Sequence, residues 1–374
     1  MATQNDFRSK KTTEDRNKEF DPKKAAEERK KELEEIGKKL EAGVKAVFEG
    51  EGFKKYLDFC AKLPRYSLNN QILIMMQKPD ATACQSFTAW KDMNRFVKKG
   101  EKGIRILAPA PYTITKEQDK LDAKGNVMRN QNGEPIKEMV EVKVNAFKPV
   151  STFDVSQTEG DPIPTYGVDE LNGNVEGYAI MLEAIQSSAE IPIAFEDISS
   201  GAKGYYQVEE NRIALQKDMS DVQTIKTLLH ELSHAMLHNK LKKEAEKTDR
   251  ATKEIEAEST AYIVCRHYGM DTSEYSFSYV AGWAQNKEVP QLKNSLELIR
   301  RTASDIITKI DENIHTIVVK NGLEKENLDI FPVMGVVKLN ESASVIHKLQ
   351  ENGVNTERQK QAAGSEKQFY VTSR

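Results

Sequence analysis

Residues 220–239, SDVQTIKTLLHELSHAMLHN, hold two histidines four apart with a glutamate directly after the first. The stretch reads as one helix. Ser220 and Gln223 form a capping-box pattern at its start, and Val222, Ile225, Leu229, Leu232 and Met236 recur at helical spacing as a core face. His230 and His234 then project from one side about a turn apart, a separation at which two imidazoles bind one zinc ion. Glu231 beside them is placed to take a proton from metal-bound water rather than to ligate. Leu229, Leu232, Ser233 and Ala235 carry no charge, as a buried metal helix requires.

Two histidines need a third ligand, since hydrolytic zinc has three protein ligands and an open position for water. Twenty residues on, KEIEAESTAY offers Glu254, Glu256 and Glu258. Glu254 and Glu258 are four apart on one helical face, and Glu256 points nearly opposite. The reading assigns Glu254 as third ligand and Glu258 as the acceptor that orients a ligand histidine, with the two roles swapped as the open alternative. Ala257 and Ala261 are small enough to let this second helix approach the first. The cofactor expected is Zn2+, and the same ligand set accepts manganese or cobalt. His238 lies about 12 Å along the axis from His230, too far for the same ion, and reads as a helix-terminal histidine or a substrate contact. His267, His315 and His347 read as surface or core. The strand RIALQ ahead of the metal helix reads either as an edge for an extended peptide or as an ordinary sheet strand.

The chain has 374 residues, long enough for two or three domains, with a formal net charge of -3 and three widely separated cysteines, Cys60, Cys84 and Cys265. That usage supports neither a disulfide framework nor a cysteine zinc site, and fits a reducing cytoplasm. The first twenty residues lack the apolar run of a secretory signal, and no stretch is long and apolar enough to span a bilayer, so a cytoplasmic protein is expected.

Along the chain, residues 1–22 read as a disordered tail. From Pro22 an amphipathic helix and two shorter helical runs lead to alternating strands, GIRILAPAPYTIT and EMVEVKVNAFKPVSTFDV, around a Gly/Asn-rich hairpin. SQTEGDPIPTYG breaks the pattern and places a domain boundary. Beyond it come a helix around NVEGYAIMLEAIQSSAE, strands in GYYQVEENRIALQK and the two patterned helices. The expected fold class is α+β, with a small α/β segment of unknown role at 321–374.

Between Ala61 and Ala110 there are nine Lys/Arg against three acids. Tyr66, Phe87, Trp90 and Phe96 and the amides of Asn69, Asn70 and Asn94 are interleaved with them. Cations that track phosphates and aromatics that stack on unpaired bases are what single-strand binding requires. The candidate contacts are Tyr66, Asn69, Trp90, Arg95, Lys98, Lys99, Lys102 and Arg105. KKGEKG lacks the GxxxxGK[ST] spacing of a phosphate loop and reads as a turn into the strand IRILA.

YSLNNQILIMMQKPDATACQSFTAWKDMNRFVKKGEKGIRILAPAPY resembles the N-terminal single-stranded-DNA-binding domain of ArdC-type antirestriction proteins and of LtrC-like proteins of conjugative elements. FDVSQTEGDPIP resembles the segment that closes that domain. LLHELSHAMLH with EIEAESTAYIVCRHYGMDTSEYSFSYVAGWA resembles the zincin domain of the same proteins, itself similar to the IrrE and ImmA metallopeptidases. The resemblance implies a DNA-binding α+β domain over 23–160 and a mostly helical zincin-like domain over 165–310. His230, Glu231 and His234 fall on the HExxH, and Glu254 and Glu258 on the acidic segment. It implies a protein of a mobile element that coats incoming single-stranded DNA during conjugation. The alternative is a regulatory zinc peptidase that cleaves a repressor and is activated by DNA. The expected partners are single-stranded DNA and a protein substrate, with no membrane.

Overall fold

The computed structural model describes residues 22–123, 125–163, 175–239, 248–285 and 287–320. The predicted tail at 1–22, apart from Pro22, and the predicted segment at 321–374 lie outside them. The described parts of Met1–Asp161 and Ile191–Ile307 form one compact unit, and those of Pro162–Glu190 and Thr308–Arg374 form a second.

The first unit opens with three helices, α1 (Pro22–Val47), α2 (Gly52–Lys62) and α3 (Leu68–Gln77). Ser67 caps α3 by accepting from the Asn70 backbone N–H. The helices bury Val44, Tyr56, Leu57, Ile72 and Ile74. One amide sits inside this apolar contact and is fully bonded. Gln71 accepts from the Tyr56 hydroxyl at 2.9 Å and donates to the Leu63 carbonyl at 2.8 Å, so its burial leaves no polar atom unpaired.

There follow β1 (Cys84–Gln85), α4 (Phe87–Asp92), β2 (Arg95–Val97), β3 (Ile104–Pro109), β4 (Tyr112–Asp119), β5 (Lys137–Val144), β6 (Phe147–Asp154) and β7 (Thr158–Gly160). Strands β1, β6 and β3 make one sheet in that order; β2 pairs with β7 and β4 with β5. The two predicted strand runs do pair around the hairpin. The register passes from Pro109 opposite Phe147 to Tyr112 opposite Val144 without slipping. Side chains alternate between faces of a strand, so Ile104, Ile106, Tyr112 and Ile114 share one face. Ile104 and Ile106 are buried in a cluster with Phe59, Leu63 and Ile74, whereas Tyr112 and Ile114 are exposed.

The second part of this unit holds β8 (Ile193–Glu196), β9 (Gly204–Gln207), β10 (Arg212–Gln216), α6 (Asp221–His238), α7 (Arg250–His267), α8 (Val280–Ala284) and the first part of α9 (Val289–Lys320). The sheet order is β8-β10-β9, with β10 parallel to β8 and antiparallel to β9. RIALQ is therefore the central strand and not the free edge that one reading allowed; Ile213, Ala214 and Leu215 are fully buried. Among the described residues β8 and β9 are the edges. Ser220 caps α6 by accepting from the Gln223 N–H, but the Gln223 side chain bonds Thr227 and Lys203 instead of closing the box. Val222, predicted to face the core, is exposed in the first turn; Ile225, Leu229 and Leu232 are buried as expected.

Helices α6 and α7 pack closely, with Ala257 and Ala261 fully buried. The far side of α7 meets α2. Asp58 accepts from the Tyr262 hydroxyl at 2.8 Å and from Arg266 Nε at 2.9 Å, and His267 Nδ1 meets the Ala61 carbonyl at 2.8 Å. In the second unit α5 (Val175–Ser188) is joined to the end of α9, where Asn313 donates to the Ala184 carbonyl and the Ser188 hydroxyl. No described helix is long and apolar enough to cross a membrane.

Candidate metal centre

Helix α6 presents His230 and His234 one turn apart, with their Nε2 atoms 3.1 Å from each other. Helix α7 brings Glu254 against both, its Oε2 lying 3.7 Å from His230 Nε2 and 3.6 Å from His234 Nε2. Among the described residues this is the one group of three donors gathered closely enough for a metal ion. Tetrahedral bonds of about 2.0–2.2 Å leave ligand atoms about 3.3–3.6 Å apart. The donor set and its spacing fit one divalent ion.

The electrostatics suit that use. Burial, helped by neighbouring His234, pushes His230 down to about 4, so its imidazole is neutral with a lone pair to give. The neighbouring imidazoles of His234 and His230 hold the Glu254 carboxyl below its usual range. Glu231 behaves oppositely: burial raises its carboxyl, against the pull of His234 and a backbone N–H from Tyr206. Two carboxylates of one site are thus driven apart, one toward an anionic ligand and one toward a proton carrier.

Glu258, the predicted acceptor for a ligand histidine, bonds elsewhere. It accepts from the Tyr279 hydroxyl at 2.6 Å. Glu256, set aside as a partner for either of the other two glutamates, is buried beside His238 of α6. His238 Nε2 lies 3.1 Å from Glu256 Oε2, and His238 Nδ1 lies 3.2 Å from His234 Nδ1. His238 is buried, which rules out the substrate contact considered for it. The regular spacing 230, 234, 238 was the one sequence signal for this arrangement. His267 is half-buried and His315 exposed, while His347 lies outside the described residues.

The predicted nucleic-acid contacts divide into two groups. Trp90 is a core residue, 1% exposed, with its indole N–H donating to the Phe153 carbonyl; no ring face is free for a base. Tyr66 packs against the cluster under β3 and donates to the Cys84 carbonyl. Both were assigned from aromaticity, which does not separate a stacking platform from a core ring. Arg95 spends its guanidinium on Thr158, Gly160 and Asp161, and Arg105 pairs with Glu32. Asn69 is half-buried. Lys98, Lys99 and Lys102 are exposed, although the Lys98 ammonium reaches the Ser156 carbonyl. The exposed rings of this region are Phe87 and Phe96, each at least half open to solvent.

Two family models match successive parts of the chain. Residues 23–153 match the family described as the N-terminal domain of anti-restriction factor ArdC, and residues 164–265 match the one described as "Putative metallopeptidase family (DUF6782)". The two matched segments thus lie one after the other along the chain. An uncharacterised protein of Bacillus anthracis is 30% identical over 322 residues, 79% of this chain and 54% of that protein. The DNA primase TraC of Escherichia coli is 29% identical over 238 residues, 59% of this chain and 15% of the primase. The chain spans about half the length of the first relative and a small part of the second. Two crystal structures of antirestriction protein ArdC from the R388 plasmid are also similar. The metal-free form is 21% identical with a TM-score of 0.37, covering 67% of this chain and 86% of that one. The Mn(II)-bound form is 20% identical with a TM-score of 0.34, covering 67% and 89%.

Proposed function

We propose that this protein binds single-stranded DNA through its N-terminal part and carries a metal-dependent peptidase site in its C-terminal part, in the service of antirestriction during DNA transfer. The observation that carries the hydrolytic half is the convergence of His230, His234 and Glu254 with Glu231 left out of the ligand set. A closed structural site has no use for such a carboxylate and completes its coordination with a fourth side chain. His230, His234 and Glu254 would hold the ion, zinc or another divalent metal, which supplies a polarised carbonyl and an acidified water. Glu231 takes the proton and returns it to the leaving amine.

The DNA-binding half rests on the match to the ArdC N-terminal domain and on the exposed lysines at 98, 99 and 102 beside exposed Phe87 and Phe96. The cytoplasm, where transferred strands arrive, is the compartment this reading implies. A second reading takes a regulatory protein such as a repressor as substrate, with DNA as activator. Its support is edge strand β9, which touches Glu231 through Tyr206 and offers backbone groups to an extended peptide.

Both halves are tested by assaying wild type and Glu231→Gln for metal content, protein cleavage and protection of incoming DNA. Retained metal with lost cleavage supports the hydrolytic site, and cleavage of equal rate in both proteins contradicts it. In mobility shifts, single strands should bind more tightly than duplex, with affinity falling steeply as salt rises. Equal affinity for the two forms counts against strand coating.

A further inference from the structure

We infer that His238 and Glu256 are positioning residues that fix the tautomer and orientation of the ligand His234 through a hydrogen-bond chain that ends on the Glu256 carboxylate, which Ser295 of α9 also holds. The inference rests on reading His230, His234 and Glu254 as the metal ligands. A neutral imidazole has one N–H and one lone pair. His234 faces His230 and Glu254 with Nε2, so giving that lone pair to a metal puts its proton on Nδ1. The Nδ1–H has His238 Nδ1 as partner at 3.2 Å, and His238 must accept there. Its own proton then sits on Nε2 and is donated to Glu256 Oε2 at 3.1 Å. The other carboxylate oxygen, Oε1, accepts from the Ser295 hydroxyl at 2.7 Å.

The donations from His234 and His238 therefore both run away from the metal face and end on a buried carboxylate, which the Ser295 hydroxyl meets from the other side. His238 is 8% exposed, Glu256 4% and Ser295 7%, so water does not compete for these positions. A carboxylate at the end of such a chain draws the protons outward and makes His234 Nε2 a better donor to the metal. The arrangement lengthens by one imidazole the usual contact between a ligand histidine and a carboxylate, and it ties α6, α7 and α9 to the same site.

The test uses the full chain loaded with zinc. Long-range nitrogen–proton NMR correlations should find His234 in the Nδ1–H form and His238 in the Nε2–H form; His238 in the Nδ1–H form overturns the chain. By chelator competition, His238→Ala should weaken zinc binding by about 10–100-fold and Glu256→Gln by about tenfold. His238→Asn, whose Oδ1 takes the accepting position, should recover part of the loss. Melting of the metal-free proteins controls for a merely structural role: a lowered melting temperature with wild-type zinc affinity overturns the inference. A wild type that binds zinc as tightly as His238→Ala sinks the chain alone, whereas a wild type that binds none sinks the metal reading with it.

Discussion

Glu231 and His267 show how one physical cause, burial, serves opposite ends. Burial raises the Glu231 carboxyl toward the range of a proton carrier. Glu231→Gln keeps the shape and removes the exchangeable proton, so a rate loss of about 10^2–10^4 is expected in a peptide-cleavage assay, with metal content unchanged. His267 is a matter of stability. Burial lowers it, its Nδ1 meets the Ala61 carbonyl, and its Nε2 has no partner. The unfolded chain takes up a proton near pH 6.5 that the folded chain resists. Stability is thus complete above about pH 6.5 and falls as pH drops through the folded value. In His267→Asn, urea midpoints at pH 7.5 and 5.5 should lie closer together than in wild type; an equal or wider gap contradicts this account. His230, Glu231 and His234 are legible from sequence because helix geometry alone brings them to one face. Glu256 is not, because its partner His238 comes from another helix and no spacing rule within α7 reveals it.

Helix α6 is legible for the same reason as its motif: a cap, an apolar period and 18 residues without a breaker. The edge of its neighbouring sheet is harder, since β9 and β10 are both short strands in sequence and only pairing decides which is central. Helix α9 has no place in the sequence reading, yet Leu292, Leu296, Ile299, Ala303, Ile306, Ile310, Ile314 and Ile317 recur at helical spacing and are buried. That signal was present and concerned packing rather than chemistry. Strand β9 depends on one small residue to sit against α6. A Cβ on Gly204 would lie 2.7 Å from Thr227 Cγ2 and 2.9 Å from the Ala214 carbonyl oxygen. Gly204→Ala should therefore cost about 1–3 kcal/mol, read as a lower denaturation midpoint, and a midpoint equal to wild type would refute the close approach. Trp90→Ala should cost about 3–5 kcal/mol of stability, the signature of a core ring. A stable Trp90→Ala protein that has lost only DNA affinity would restore the stacking role.

At the scale of the molecule, the N-terminal part and the part that holds the candidate metal centre meet through α2 and α7, whose contacts include Asp58, Tyr262 and Arg266. This joining lies beyond the reach of sequence patterns, which placed a boundary near residue 160 from Pro, Gly and Ser but carried no long-range pairing. Substituting Lys98, Lys99 and Lys102 together by alanine should reduce single-strand affinity and flatten its salt dependence while leaving metal binding intact. An unchanged salt slope in mobility shifts would move the DNA surface elsewhere. The claim on which the account turns is that one divalent ion is held by His230, His234 and Glu254 with Glu231 free. Calorimetric titration of the metal-free protein with zinc measures it directly. The account predicts one ion per chain in wild type and in Glu231→Gln, and binding at least about 100-fold weaker in His234→Ala and Glu254→Ala. Wild-type affinity in Glu254→Ala, or metal lost from Glu231→Gln as completely as from His234→Ala, would contradict it.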